Sequence, residues 1–344
     1  MALFGRRRES APLDGVDVLL ADLDGVVYAG AGPLPYAVES LNQARTGRTL
    51  AYITNNASRT DASVATHLSE LGLATAPDEV VTSPQAAMRL LVEKIPPGAT
   101  VLVVGGDGLV SEVAKAGFVV TRSADDLPAA VVQGFAPEVG WLQLAEAAYA
   151  LKVPEKEGGI PWIATNTDWT IPQARGIAPG NGTLVSAVHT AIGRLATVAG
   201  KPEVPIFEEA VARFGARHPL FLGDRLDTDI LGANRAGIPS ALVLTGIDRP
   251  KHVLAAPPGS QPTFILGDLR ELHEPYPEVR LHDAAASVRG ATVRIDGPDV
   301  QIIATGDRPI DLLRAGAAAI WSTGRAIFGF RVPAELYADP FHRP

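Results

Sequence analysis

The chain of 344 residues contains no cysteine. Disulfides, thiolate zinc sites, iron–sulfur clusters and every mechanism with a cysteine nucleophile are thereby excluded. Its seven histidines, at positions 67, 189, 218, 252, 273, 282 and 342, include no pair four residues apart, which excludes a helical two-histidine zinc site. Long apolar runs are also missing. The most apolar C-terminal stretch, Ala315 to Trp321, is far short of the roughly 18–20 residues that span a bilayer. Arg6-Arg7-Arg8 would suit the start of a signal peptide, but Glu9 to Asp14 follows where an apolar stretch is required. Residues 1–13 therefore read as a disordered tail, and the protein as cytoplasmic. Basic residues are outnumbered, 30 to 38, for a net charge of −8, so neither nucleic acid nor an anionic membrane is an expected partner.

What is present is a globular composition, 47% hydrophobic and 20% charged. Gly 34 and Pro 28 together stay below the roughly 25–30% of low-complexity chains, and the length predicts two or three domains. Val16 to Ala21 is an apolar run that opens into Asp22-Leu23-Asp24-Gly25, the pattern of a buried parallel strand ending in a polar turn. A helix from about Pro35 to Arg45 follows, then a strand Thr49 to Ile53 ending in Thr54-Asn55-Asn56, then a helix Asp61 to Leu71 stopped by Gly72. From about residue 80 the alternation restarts, with strands at Val101 to Val104, Ala130 to Gln133 and Trp162 to Thr165 and a helix Trp141 to Leu151. The loop Thr170 to Gly182 is read as returning the chain to the first domain, with a helix Thr183 to Leu195. Leu220 to Leu222 then ends in Gly223-Asp224, and Ala241 to Leu244 in Thr245-Gly246. Alternating strands and helices indicate an α/β fold with parallel sheets.

Glu274-Pro275-Tyr276-Pro277 reads as a linker, and residues 280–344 as a strand-strand-helix appendage of α+β type, with strands at Ala291 to Ile295 and Val300 to Ala304. The appendage weakly resembles part of an acetyltransferase-like fold. Arg314-Ala315-Gly316-Ala317 lacks the glycine spacing that cradles a pyrophosphate, so a structural or docking role is expected. The segment after Val101 to Val104 likewise fails the dinucleotide pattern, because Asp107 and Val110 stand where the second and third glycines belong.

Open parallel sheets place ligands at the carboxyl ends of their strands. Three such ends here carry Asp22 with Asp24, Thr54 with Asn55, and Asp224, which the topology is expected to bring together. Asp22 and Asp24, two apart, share a side if extended geometry persists. Close carboxylates repel unless a cation or proton intervenes, and three oxygen donors suit Mg²⁺. Alone, Asp-x-Asp also suits a solvated strand end or a calcium loop. Thr54, Asn55 and Lys201 would hold a dianionic phosphoryl group, although Thr-Asn-Asn also suits a capped turn and Lys201 an exposed loop.

The order Asp22-Leu23-Asp24-Gly25-Val26, Thr54-Asn55-Asn56, Lys201-Pro202 and Gly223-Asp224-Arg225-Leu226-Asp227-Thr228-Asp229 resembles the four motifs of haloacid-dehalogenase (HAD) superfamily phosphatases. The long insertion, Thr165-Asn166-Thr167-Asp168 and Pro179-Gly180-Asn181-Gly182 are similar to the NagD-like branch, and within it to the actinobacterial glycerol-3-phosphate phosphatases with an extra C-terminal segment. The resemblance covers about residues 14–270. It implies a Rossmann-like core at 14–79 and 179–273 and an inserted C2-type α/β cap at 80–178. It also implies Mg²⁺-dependent hydrolysis of small phosphomonoesters, with glycerol 3-phosphate preferred. Carried over, Asp22 is the nucleophile, Asp24 the general acid and base, and Thr54, Asn55 and Lys201 the phosphate-binding residues. Asp22, the Asp24 carbonyl and Asp224 are the metal ligands, with Asp229 behind them and Asp227 a turn acid. Asn166, Asp168 and Arg175 are the expected substrate-facing residues of the cap. Homodimers paired through the cap occur in similar proteins. A broad-range phosphatase acting on phosphoglycolate, pyridoxal phosphate, nucleotides or nitrophenyl phosphate is the nearest alternative. A phosphotransferase and a regulatory binding protein are more distant ones.

Overall fold

The computed structural model describes residues 10–338, except Ala31 and Ala174, and shows two units, residues 1–50 with 216–344, and residues 51–215. The chain passes from the first to the second within the strand Thr49–Thr54.

In the first unit the strands Val18–Ala21, Pro219–Gly223, Ser240–Val243 and Phe264–Leu266 pair side by side in parallel. Leu20 lies opposite Phe221, Leu222 opposite Ala241 and Leu242 opposite Ile265. These strands are almost wholly buried, which is why their sequences are continuous apolar runs and not alternating ones. Each run stops where a polar or small residue follows: Asp22, Asp224, Thr245-Gly246 and Gly267-Asp268.

The C-terminal segment differs from its sequence reading in three respects. It holds four antiparallel strands, Val279–His282, Ala285–Val288, Ala291–Asp296 and Asp299–Thr305, where two were expected. The first hairpin turns at Asp283, which takes φ 47° with neither glycine nor proline beside it, so a single Asp is all that marks the turn. Secondly, the helix Pro309–Ser322 and its sheet share one apolar cluster with the parallel strands and the helix Pro250–Leu254, running from Leu242, Val253, Leu254 and Ile265 to Val293, Leu313, Ala317 and Ile320. The segment is thus part of the unit's core and not an appendage. Thirdly, the expected linker is anchored. The Tyr276 hydroxyl accepts from Ile265 N at 3.0 Å, its ring meets Phe264 edge-on at 4.9 Å, and the Arg314 guanidinium lies 4.5 Å over it. The expected tail also ends earlier: Leu13 is buried and Ser10 O accepts from Tyr276 N, while residues 1–9 lie outside the described residues.

Arg314 ties these parts together. Its Nε and Nη2 donate to Ile265 O at 3.0 and 2.6 Å, Nη1 to Asp311 at 2.8 Å, and Nη2 to Glu271 at 2.6 Å.

The second unit has a parallel pair, Tyr52–Thr54 with Val80–Thr82. It also has a five-stranded parallel sheet ordered Thr197–Val198, Trp162–Ala164, Ala130–Gln133, Thr100–Val104, Val119–Thr121. Helices Trp141–Ala150 and Asn181–Ile192 bury Ala147, Val185 and Val188 against Leu102, Val131 and Trp162 on one face of that sheet. The helix after Gly180 therefore belongs to the inserted sheet, and so does the strand at Thr197, although both were expected in the core segment 179–273. The expected loop 170–182 contains a hairpin, Thr170–Gln173 with Gly176–Pro179. Among the described residues, no helix is long and apolar enough to cross a membrane.

Replacing Arg314 with Ala leaves Asp311 and Glu271 buried with the more exposed Arg289 and Arg308 as partners. The expected cost is about 3 kcal/mol of unfolding free energy, measured by urea denaturation. An unchanged midpoint would show that the latch does not hold the segment.

Candidate active site

In the first unit the sheet register continues one residue past the strand, because Asp22 N donates to Leu222 O at 2.9 Å. The chain then turns sharply. Leu23 O accepts from the N–H groups of Val26, Val27 and Tyr28, and Gly25, at φ 81°, donates to Tyr28 O. Leu23, Val26 and Val27 are buried and pin this turn to the core. The turn therefore begins just after Asp22, and Asp24 lies within it, bridged to Tyr28. Asp24 is exposed on the turn and Asp22 is half-buried.

The carboxylates that gather are Asp22, Asp224 and Asp229, each with an oxygen within 4.8 Å of the others. Asp229 returns to the cluster through one wide helical turn, Leu226–Ile230, whose last two N–H groups reach back to Arg225 O. Its Oδ2 accepts from the N–H groups of Asp224 and Arg225, both at 3.1 Å, so it aims the Asp224 backbone from behind. Asp227, between them, pairs with Arg225 at the surface. Asp224 is almost fully buried and its Oδ2 accepts from Ile247 N at 2.6 Å. A Cβ built on Gly25 or on Gly246 runs into that carboxylate, so the two glycines form a cradle that only hydrogen leaves open. All three donors are hard oxygens, the set that suits Mg²⁺.

Two contributors escape the sequence reading. Gly246 reads there only as a small strand end. Asp248 accepts from Leu226 N at 2.6 Å, lies 3.1 Å from His252 Nδ1, and holds the start of the wide turn; burial pushes its carboxyl above the usual range. The signal available is position alone, an acid a few residues beyond the end of a parallel strand.

The second unit gathers Thr54, Asn55 and Asn166 with Lys201 and Asp168. Thr54 is buried at its strand end, and its Oγ1 accepts from Asn56 N at 3.1 Å. Asn55 is the hub. Its Oδ1 accepts from Lys201 N at 2.8 Å, and its Nδ2 donates to Lys201 O at 3.0 Å and to Asp168 Oδ1 at 3.1 Å. Gly200 permits this contact, since a Cβ there would meet Asn55 Oδ1 at 2.5 Å. Lys201 is 3% exposed and Asn166 4%, so neither sits on an open loop. Asn166 Nδ2 donates to Asn55 O at 2.8 Å and its Oδ1 accepts from Asp168 N at 3.1 Å. Asn166 and Asp168 thus join Asn55 and Lys201, while Arg175 is exposed in the hairpin turn.

Two family profiles match the chain, one described as haloacid dehalogenase-like hydrolase at residues 19–119 and one as HAD-hydrolase-like at residues 198–272. The D-glycerol 3-phosphate phosphatase of Mycobacterium tuberculosis is 43% identical over 318 residues, covering 90% of this chain and 87% of that protein. The glycerol-3-phosphate phosphatase of Gallus gallus is 35% identical over 266 residues, covering 71% of this chain and 84% of that protein. The crystal structure of the M. tuberculosis glycerol phosphate phosphatase in complex with magnesium superposes with a TM-score of 0.84 at 42% identity, covering 94% of both chains.

Gly246→Ala tests the cradle without a left-handed backbone to confuse it. Displacing Asp224 is expected to weaken Mg²⁺ binding by roughly 10–100-fold, read by titration calorimetry. Unchanged affinity would separate Asp224 from the metal.

Proposed function

The chain belongs to the haloacid dehalogenase-like hydrolase family, and on that premise we propose that it hydrolyses small phosphomonoesters, glycerol 3-phosphate foremost. The observation that carries this reading is the cluster of Asp22 and Asp224, just past the ends of parallel strands, with Asp229 from the wide turn that follows. The relative named for D-glycerol 3-phosphate, aligned along nine-tenths of this chain, supports the choice of substrate.

In this reading one oxygen of Asp22 attacks phosphorus, the bond from phosphorus to the alcohol oxygen breaks, and an aspartyl phosphate forms on Asp22. Asp24 gives its proton to the departing alkoxide, which is a poor leaving group without one. It then takes a proton from water as that water attacks phosphorus. The bond from phosphorus to Asp22 breaks, and inorganic phosphate and the original carboxylate result. Thr54, the Asn55 peptide N–H and Lys201 hold the phosphoryl oxygens. Asp22, Asp224 and the Asp24 carbonyl would hold Mg²⁺, which supplies positive charge against the repulsion between two anions. Asp229 keeps Asp224 aimed through its backbone N–H. The inserted five-stranded sheet with its helices acts as a cap that excludes bulk water and polymers, so the substrate is small. A cytoplasmic homodimer is part of the same proposal, and a single-chain mass by light scattering would overturn the dimer alone.

Phosphate release from glycerol 3-phosphate, phosphoglycolate, pyridoxal phosphate, UMP and nitrophenyl phosphate, with Mg²⁺ and with EDTA, tests the function. Metal-dependent release favouring glycerol 3-phosphate is expected. Equal release from all five would leave a broad-range phosphatase, and none would overturn the reading. Asp22→Asn is expected to lower turnover on the order of 10⁴-fold or more with the melting temperature retained. Substantial turnover in the folded variant would remove Asp22 from the nucleophile's role.

A further inference from the structure

We propose that Asn166 is a positioning residue for phosphoryl binding, acting through Asn55 on Thr54 and Lys201, and not a residue that reads the alcohol. The inference rests on the phosphatase reading above. It begins from how completely the Asn166 amide is used. The side chain donates from Nδ2 to Asn55 O at 2.8 Å and lies 3.5 Å from Thr165 Oγ1, while its Oδ1 accepts from Asp168 N at 3.1 Å. Its backbone O accepts from Asn181 Nδ2 at 2.7 Å. An amide has two donors and one acceptor oxygen, and at 4% exposure each end of this one already meets the protein.

The carbonyl it grips has a second donor, Ser83 Oγ, also at 2.8 Å, so both acceptor directions of Asn55 O are filled. Two donors on one oxygen fix the plane of the peptide that joins Asn55 to Asn56. The N–H of that peptide points at Thr54 Oγ1. A hydroxyl that accepts there has its own proton to donate elsewhere, the role a phosphoryl oxygen needs from Thr54. On the other side, the Asn55 side chain spans both the N–H and the C=O of Lys201, and so fixes the root of the lysine side chain. One buried amide therefore governs two of the groups assigned to the phosphoryl oxygens. Holding such groups in place before the ligand arrives lowers the ordering cost of binding.

Asn166→Asp separates the possibilities. It keeps the acceptor for Asp168 N and sets a carboxylate oxygen against Asn55 O in place of a donor. In the full chain with Mg²⁺, inorganic phosphate is titrated by calorimetry, and kcat and KM are measured for glycerol 3-phosphate and nitrophenyl phosphate. The dissociation constant of phosphate and both KM values are expected to rise together by about tenfold, the equivalent of one strong hydrogen bond lost. The ratio of kcat/KM between the two esters should stay within about twofold. A changed ratio with unchanged phosphate binding would make Asn166 a reader of the alcohol and overturn the proposal. A fall in kcat and melting temperature alone would make it merely structural, and would overturn the proposal as well. If the variant fails to fold, Ser83→Ala removes the other donor from the same carbonyl in a swap of similar size. It is expected to raise the phosphate dissociation constant about threefold, and no change would count against the proposal decisively. Wild-type protein that binds phosphate but hydrolyses neither ester would defeat the phosphatase reading, leaving the effect of Asn166→Asp on phosphate binding to decide this one.

Discussion

Three carboxylates with oxygens inside 4.8 Å of one another set the terms for everything around them. At about 4 Å two like charges repel by roughly 4 kcal/mol in the effective dielectric of a protein site. Such a cluster persists only if a proton or cation relieves it and if the backbone holds it by force. The surroundings supply that holding. Asp224 is fixed by Ile247 N, Asp229 by two peptide N–H groups, and the turn between them by Asp248. Gly25 and Gly246 complete the enclosure by having nothing to put in the way. These donors hold the carboxylates so that their oxygens converge, the arrangement a hard cation needs.

The second unit meets the converse problem chiefly with amides. A phosphoryl dianion needs donors and modest positive charge, and here the backbone of one buried lysine is held by the Asn55 amide. Neutral amides can be buried at small cost when each polar atom is paired. Asn55 pairs with two segments far away in sequence, at Asp168 and Lys201, and so joins them through one neutral amide. The division is chemical: the carboxylates of the first unit suit a cation, and the amides and lysine of the second suit an anion.

The strands and the acids at their ends are legible because continuous apolar runs and abrupt polar stops are local signals. Spacing and resemblance name Asp22, Asp224 and Asp229, and all three gather. The tight turn after Asp22, where Gly25 adopts φ 81°, is not itself written in the alternation of apolar and polar residues. The partners of Asn166 are not legible, since bonds to residues 111 positions away leave no trace in local pattern. The same blindness affects the C-terminal segment. Its first hairpin has neither glycine nor proline at the turn. Its union with the core depends on Arg314 reaching Ile265 and Glu271, 49 and 43 positions back.

That union bears on why the segment is retained in a chain whose motif residues end at Asp229. The faces of Leu242, Leu244, Val253 and Leu254 are covered by Val293, Leu313 and Ile320. Without the segment these side chains would form an exposed apolar patch on the strand that leads to the Gly246 turn and on the helix Pro250–Leu254. Arg314 adds a directional element to the covering. It stacks on Tyr276, caps the carbonyl of a parallel strand and pairs with two acids, so the helix can dock in one orientation only. Apolar contact alone tolerates sliding, whereas a buried guanidinium with four bonds does not. The strand holding Ile265 pairs with Ser240–Val243, which pairs with Pro219–Gly223 and so leads to Asp224. The segment thus stiffens the sheet from the edge strand inward, and contributes rigidity to the acid cluster with no catalytic side chain of its own.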